Sequence, residues 1–222
     1  MKVLRVAILV WTLNCLLSCA PSRYVKPLEK KQHAASLSFG GPLIKFSGAP
    51  VPLPFITAGY GYGLHQHVTV FANLHVTSLL FSNLQSDLGA TFRVYEKPLK
   101  YGFSLSPALQ AATSLKAGNS ARLWPSLDAN AYFHFHQTAS YMYAGANAWF
   151  ELSKTRSHGE VQPQFLIPNV QLGYVRVRTK WSHQFQLSYL GIGTAILPGV
   201  VDYIGFAGKG SLGLHYGLIR KF

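Results

Sequence analysis

Cysteine is nearly absent from this chain: of 222 residues only Cys15 and Cys19 carry a thiol, and both lie near the N-terminus. A disulfide-stapled fold, a thiolate zinc site and a cysteine nucleophile in the body of the protein are thereby excluded. Acidic residues are scarce as well, seven against twenty lysines and arginines, for a net charge of +13. Charge of either sign makes up 12% of the chain, about half the roughly 25% of an ordinary soluble domain, so a normally solvated surface is hard to build. Disorder and a coiled coil do not fit a composition that is 49% hydrophobic with 20 glycines. The length favours one domain or at most two.

Residues 1–18 read as an export signal. Lys2 and Arg5 give a positive start, Val6 to Leu17 is apolar apart from Thr12 and Asn14, and Ser18-Cys19 follows. The run Leu16-Leu17-Ser18-Cys19-Ala20 resembles the lipobox of bacterial lipoproteins. That resemblance implies cleavage before Cys19 and its acylation by diacylglycerol and a further chain such as palmitate, which together anchor stably where one chain binds marginally. The alternative is an ordinary signal peptide with incidental cysteines. From Ala20 to about His33 the chain is polar and basic, with Pro21, Arg23, Lys26, Pro27, Lys30 and Lys31, a composition that suits a tether.

Beyond the signal no apolar run reaches the roughly 18 residues of a membrane helix. Period-two alternation recurs instead. Val68, Val70, Ala72, Leu74 and Val76 alternate with Thr69, Phe71, Asn73, His75 and Thr77; Leu88, Ala90, Phe92 and Val94 alternate with Asp87, Gly89, Thr91, Arg93 and Tyr95. The same signal predicts strands over 35–41, 55–64, 66–77, 86–95, 101–111, 123–134, 140–151, 165–176, 181–190 and 211–222. In the span 165–176, Pro168 and a phase shift around Tyr174 to Val177 suggest a bulge or an edge.

Alternation does not say which face meets the interior. A soluble lipocalin-like barrel holds its apolar residues inside, whereas a membrane barrel turns them to lipid. The polar faces here are small and neutral: Thr57, Gly59, Gly61 and Gly63; Gly102, Ser104, Ser106, Ala108 and Gln110; Ser182, Gln184, Gln186 and Ser188. Water solvates such a surface poorly, and a crowded barrel interior accepts it. Asp87, Asp128 and Glu151 fall on polar faces, and Arg176, Arg220 and Lys221 lie at strand ends, sparing the roughly 2 to 4 kcal/mol that a lipid-facing Lys or Arg costs at the midplane. Aromatic residues such as Tyr60, Tyr62, Phe133, Phe150, Trp181 and Tyr189 sit near strand ends, as interfacial girdles would.

Short joins near His65, Glu96 to Lys100, His136 to Ala139 and Val177 to Lys180 alternate with long ones, the asymmetry of periplasmic turns and external loops. Leu212, Leu214, Tyr216 and Leu218 alternate toward a terminal Phe222, which resembles the last strand of outer-membrane barrel proteins, with Arg220 departing from the pattern. Lipobox, alternation and terminus together resemble a small bacterial outer-membrane β-barrel lipoprotein. The expectation is therefore all-β: an up-and-down antiparallel transmembrane barrel of about ten strands (8–12) over 35–222, preceded by a signal peptide over 1–18 and a lipidated periplasmic tether over 19–34.

Candidate chemistry is sparse. Asp128, Asn130, His134 and His136, with Tyr132, share one strand face and are expected in a polar interior; two imidazoles without a third ligand more often fill space than bind a metal. His75, Asp87 and Glu151, with Asp202 in the last long loop, lie toward the external ends, where a hydrolase could draw an acid and a base; a hydrogen-bonded network that plugs the barrel is the plainer account. Gly-Tyr-Gly-Tyr-Gly at 59–63 is an alternating strand rather than a phosphate loop. No cofactor motif is found. Lys45, Lys116, Arg122, Lys154, Arg156 and Lys209 in or beside the external loops outweigh Glu160 and Asp202, which suits lipopolysaccharide phosphates and makes nucleic acid an improbable partner. The expected function is a structural or narrow-pore barrel, with outer-membrane lipid, the barrel-assembly and lipoprotein-sorting machineries and a small solute as its partners. An outer-membrane hydrolase and a lipid-anchored soluble binding barrel stand as alternatives.

Overall fold

The computed structural model describes residues 24–116, 121–135, 138–155, 161–196 and 201–222. Its strands are β1 (His33–Phe46), β2 (Ala49–Pro52), β3 (Phe55–His65), β4 (Val68–His75), β5 (Asn83–Lys97), β6 (Tyr101–Ser114), β7 (Arg122–His134), β8 (Tyr141–Phe150), β9 (Leu166–Val177), β10 (Trp181–Ala195) and β11 (Lys209–Lys221), with one short helix, α1 (Val76–Leu80). The short β2 folds back on β1. The others form one antiparallel sheet in chain order, closed where β1 pairs with β11 from Ala34 opposite Lys221 to Pro42 opposite Gly213. The result is the expected up-and-down barrel of ten long strands.

The faces are inverted relative to a soluble barrel. Leu88 is 63% exposed and Leu172 49%, while Thr69, Thr91 and Ser104 are fully buried. Along β10, Ser182, Gln184, Gln186 and Ser188 are buried and Trp181, Phe185 and Leu187 exposed. The soluble, lipocalin-like alternative needs the apolar rows inside, and this arrangement rules it out.

Three local expectations are corrected. The strand expected over 66–77 ends at His75, because Thr77 is drawn into α1 by hydrogen bonds to the start of β3 and the residue before it: its Oγ1 accepts from Ile56 N at 2.8 Å and donates to Pro54 O at 3.1 Å. The bulge suspected in β9 is absent, since β9 pairs in continuous register with β8 and β10. Pro168 lies opposite Ala148, beyond the last β9–β10 pair of Val170 with Tyr189, an edge-like position where a missing N–H is tolerated. The bulge falls in β5 instead, between Arg93 and Tyr95. One extra residue reverses the alternation, so Tyr95, expected inside, is exposed, and the side chain of Glu96 is buried.

Residues 24–32 do not form a free tether: residues 24–28 run inside the barrel, and residues 29–32 cross its short-turn mouth, where Glu29, Lys30 and Lys31 are exposed. Tyr24, Val25 and Leu28 are buried. Thr69 Oγ1 of β4 accepts from Leu28 N at 2.7 Å, and Thr91 Oγ1 of β5 donates to Tyr24 O at 3.0 Å. Lower down, Lys31 N donates to Gly63 O and Gly63 N to Gln32 O, at 2.7 and 2.9 Å, before the chain reverses into β1. Three apolar side chains without periodicity are enough to seat this segment, because the wall facing them supplies both room and hydrogen-bond partners.

Candidate functional site: a lumen in two halves

The half of the lumen at the short turns holds the N-terminal plug. The Gly-Tyr-Gly-Tyr-Gly stretch of β3 forms its seat. A Cβ at Gly61 would stand 2.6 Å from the ring of Tyr24, and one at Gly63 would stand 1.8 Å from Glu29 O, so any side chain there excludes the plug. Tyr24 packs on Phe71, with ring centroids 6.1 Å apart. Across the lumen, Val25 packs with Tyr132, Tyr141, Tyr143 and Val175. Lys26 pairs with Glu96 Oε1, whose other oxygen takes Arg93 Nη1 at 2.8 Å. This triplet crosses from plug to wall, and the β5 bulge is what turns Glu96 inward to complete it.

The half toward the long loops is filled by the wall itself. His75 Nε2 and Asp87 Oδ1 lie 2.7 Å apart, Asn73 Nδ2 donates to Asp87 Oδ2 at 3.0 Å, and Thr57 Oγ1 faces His75 Nδ1 at 3.4 Å. The register sets this cluster: Thr57 is opposite His75, and Asn73 opposite Asp87. Gln171 Nε2 donates to Asn130 Oδ1 at 3.0 Å and to Asp128 Oδ1 at 3.3 Å. Below this network, in the plugged half, Tyr143 OH donates to Gln186 Oε1 at 2.7 Å and accepts from Gln184 Nε2 at 2.9 Å.

The expected residues therefore divide. His75 meets Asp87; Glu151 does not join them. Its carboxylate accepts from Trp124 Nε1 at 2.7 Å and Ser153 N at 2.8 Å, which makes it an anchor for the β8 end. Asp128 and Asn130 face the interior as expected. His134 is half-buried at the foot of β7, its Nδ1 2.9 Å from Thr138 O. Cys19, His136, Arg156 and Glu160 lie outside the described residues. Among the described residues no group of three or more His, Cys, Asp or Glu is arranged to hold a metal. Lys45, Lys116, Lys154 and Lys209 are exposed at the long-loop rim, and Asp202 is exposed beside them.

Sequence reasoning missed the plug with its Lys26–Glu96–Arg93 triplet, and it missed the basic character of the opposite rim. Lys30, Lys31, Lys97, Lys100, Arg176, Arg178, Lys180 and Arg220 are all exposed there. The available signal for the plug was the pair of glycines at 61 and 63, which face inward beside no large neighbour on their own strand.

No family model matches the chain, and no curated protein matches it either. Among solved structures the chain is similar to the N-terminal β-barrel domain of OprF from Pseudomonas aeruginosa, at 10% identity over 88% of this chain and 100% of that one, with a TM-score of 0.39. It is also similar to the porin NanC, at 8% identity over 86% and 99% with a TM-score of 0.48, and to an outer-membrane channel from Pseudomonas putida F1, at 13% identity over 91% and 100% with a TM-score of 0.47. The barrel assignment itself rests on the strand pairing and closure described above.

Proposed function

We propose that the protein is a small outer-membrane β-barrel, anchored through acylated Cys19, that acts as a structural barrel or as a narrow pore closed by its own residues 24–32. The inverted faces carry this reading: apolar rows cover the outer wall, and hydroxyl, amide and glycine positions are enclosed. An outer wall of this kind is stable against acyl chains and costly in water. Closure of the sheet removes the unpaired strand edges that a bilayer does not tolerate. Barrels of about eight strands are filled, and those of sixteen or more leave an aqueous channel; ten strands plus a plug support a barrel near the filled end. The short turns and both ends of the barrel chain then lie on the periplasmic side, and the long loops present Lys45, Lys116, Lys154 and Lys209 to lipopolysaccharide. Export of such a protein requires the lipoprotein-sorting and barrel-assembly machineries, and an opened lumen would pass only small solutes.

Single cysteines at Val70 and Ala72, both on the outward face of β4, test the reading. In lipid vesicles they should be shielded from a water-soluble maleimide, and the protein should fractionate with outer membranes and shift on gels after heating. Labelling at the rate of a free thiol, or release by high salt alone, overturns it. Labelled palmitate should enter the wild-type chain and not Cys19→Ala.

A second reading is favoured by one observation, the 2.7 Å contact of His75 with Asp87. An imidazole oriented by a carboxylate can act as a general base on a hydroxyl or water, and Thr57 stands on its other nitrogen. Lipid A, peptide or ester turnover that survives His75→Ala and Asp87→Ala unchanged removes this hydrolase.

A further inference from the structure

The outer wall at the short-turn end carries a basic and aromatic cluster that neither the plug nor the lumen uses. Strand register assembles it from three strands. Arg176 of β9 lies opposite His183 of β10, which lies opposite Leu218 of β11, and one row nearer the rim Trp181 lies opposite Arg220. Arg176 continues the exposed row Val170, Leu172, Tyr174, and Arg220 continues the row Leu214, Tyr216, Leu218, so both guanidiniums extend the lipid-facing rows downward. The Arg220 guanidinium sits 5.3 Å from the ring centroids of both Trp181 and Phe222. Above it, the ring of Tyr216 packs at a tilt against Phe185, with centroids 5.2 Å apart, and its hydroxyl lies 2.8 Å from His183 Nδ1. Arg178 and Lys180 flank the cluster in the turn and are exposed.

This arrangement has unspent charge. Among the described residues, the Lys and Arg salt bridges draw on Lys26 and Arg93, and no carboxylate pairs with Arg176, Arg178, Lys180 or Arg220. Two strand spacings, roughly 10 Å, separate β9 from β11, so two long guanidinium side chains can converge on one headgroup. A ring-sandwiched arginine is held in place before any ligand arrives, which lowers the entropy cost of binding. Arginine forks match phosphate oxygens, and the aromatic rows above the cluster supply the acyl-chain contact.

We propose that Arg176 and Arg220, with Trp181, His183 and Tyr216, form a binding site for an anionic glycerophospholipid of the periplasmic leaflet, such as phosphatidylglycerol. The inference rests on the membrane reading above, because the cluster is a lipid site only if the rows over it face acyl chains. It goes beyond that reading in selecting a headgroup charge and one sector of the rim.

The test is retention of lipid by the purified full-length barrel, measured by native mass spectrometry after exchange into mixed micelles holding phosphatidylglycerol and phosphatidylcholine in equal amounts. The wild type should keep phosphatidylglycerol adducts in at least several-fold excess. Arg176→Gln with Arg220→Gln should abolish that preference, while Lys97→Gln with Lys100→Gln, on the opposite sector of the same rim, should leave it. Equal retention of the two lipids by the wild type, or an unchanged preference in the arginine double variant, overturns the site. So does preferential capture of lipid A phosphates when these are offered in place of phosphatidylglycerol. Heat-modifiability and maleimide shielding of each variant are recorded in parallel: a chain that passes both but shows no headgroup preference refutes the site and leaves the membrane reading intact, whereas failure of those two measurements refutes the reading itself.

Discussion

The two halves of the lumen solve one problem by opposite means. Ten strands enclose more space than small side chains can fill. At the long loops the wall fills it with Asn73, His75, Asp87, Asp128, Asn130 and Gln171, tied by hydrogen bonds between the adjacent β4 and β5 and, past β8, from β9 to β7. At the short turns the wall recedes to Gly61, Gly63, Thr69, Thr91 and Ser104, and the chain's own residues 24–32 occupy the room. A self-filled wall can open only by breaking buried polar contacts. A plugged one can open by moving a single segment whose anchors are a few hydrogen bonds, apolar contacts and one ion pair.

Removing the plug gives the largest expected effect. A chain lacking residues 24–31 should conduct steadily in planar bilayers where the full chain shows only rare, brief openings, with the charge of Asp128 and the neutral amides left lining the path. Gly63→Val tests the same seat without shortening the chain: its Cβ would meet Glu29 O, so the lower plug must shift and the current should become steady. No steady current from either variant would show that the long-loop network seals the barrel unaided and would erase the functional contrast between the halves.

The outer faces, the strand number and the alternation of short and long joins were legible because each depends on a period-two pattern repeated along the chain. The interior placement of Asp87, Asp128 and Asn130 followed from the same phase. The plug was not legible, since Tyr24, Val25 and Leu28 show no period and stand among prolines and basic residues that read as linker. Nor was Glu96: a single bulged residue in β5 reversed the phase, and alternation cannot announce a bulge. The meeting of His75 with Asp87 required the β4–β5 register, which the sequence left open by a residue or two. The basic short-turn rim escaped because its residues are scattered over two turns and the two ends of the barrel chain, and only closure brings them to one ring.

Breaking the wall network comes next in size. Asp87 is 1% exposed and holds His75 and Asn73. Asp87→Ala should lower the urea midpoint by the equivalent of about 3–5 kcal/mol, because it removes two buried hydrogen bonds to a carboxylate worth roughly 1.5–3 kcal/mol each. Asp87→Asn, which keeps the shape, should cost less. A loss below about 1 kcal/mol for alanine would mean that water enters this half freely, contrary to a self-filled wall. Trp124→Phe should cost about 1.5–3 kcal/mol, the range for a hydrogen bond to a charged acceptor, because the Glu151 carboxylate would lose its indole donor and keep only Ser153 N; the same unfolding measurement reads it.

The smallest effect is expected at the ion pair that joins the two parts. Lys26 is 27% exposed along its side chain, and Glu96 keeps Arg93 when Lys26 is gone. Lys26→Met should therefore change barrel stability by about 0.2–1 kcal/mol, the range of a partly solvated pair. The informative readout is the plug. With its ionic anchor removed, its closed state should weaken by the same energy, a factor of up to about five in open probability, visible as more frequent brief openings in single-channel records. Glu96→Gln should match it in openings and exceed it in stability loss, because Arg93 then loses its buried carboxylate as well. Equal stability losses for the two variants would place Arg93 in solvent and reduce the triplet to a simple surface pair. Unchanged openings in both would put the plug's hold on the Gly61 and Gly63 seat alone, so that the difference between the halves would be one of shape rather than charge.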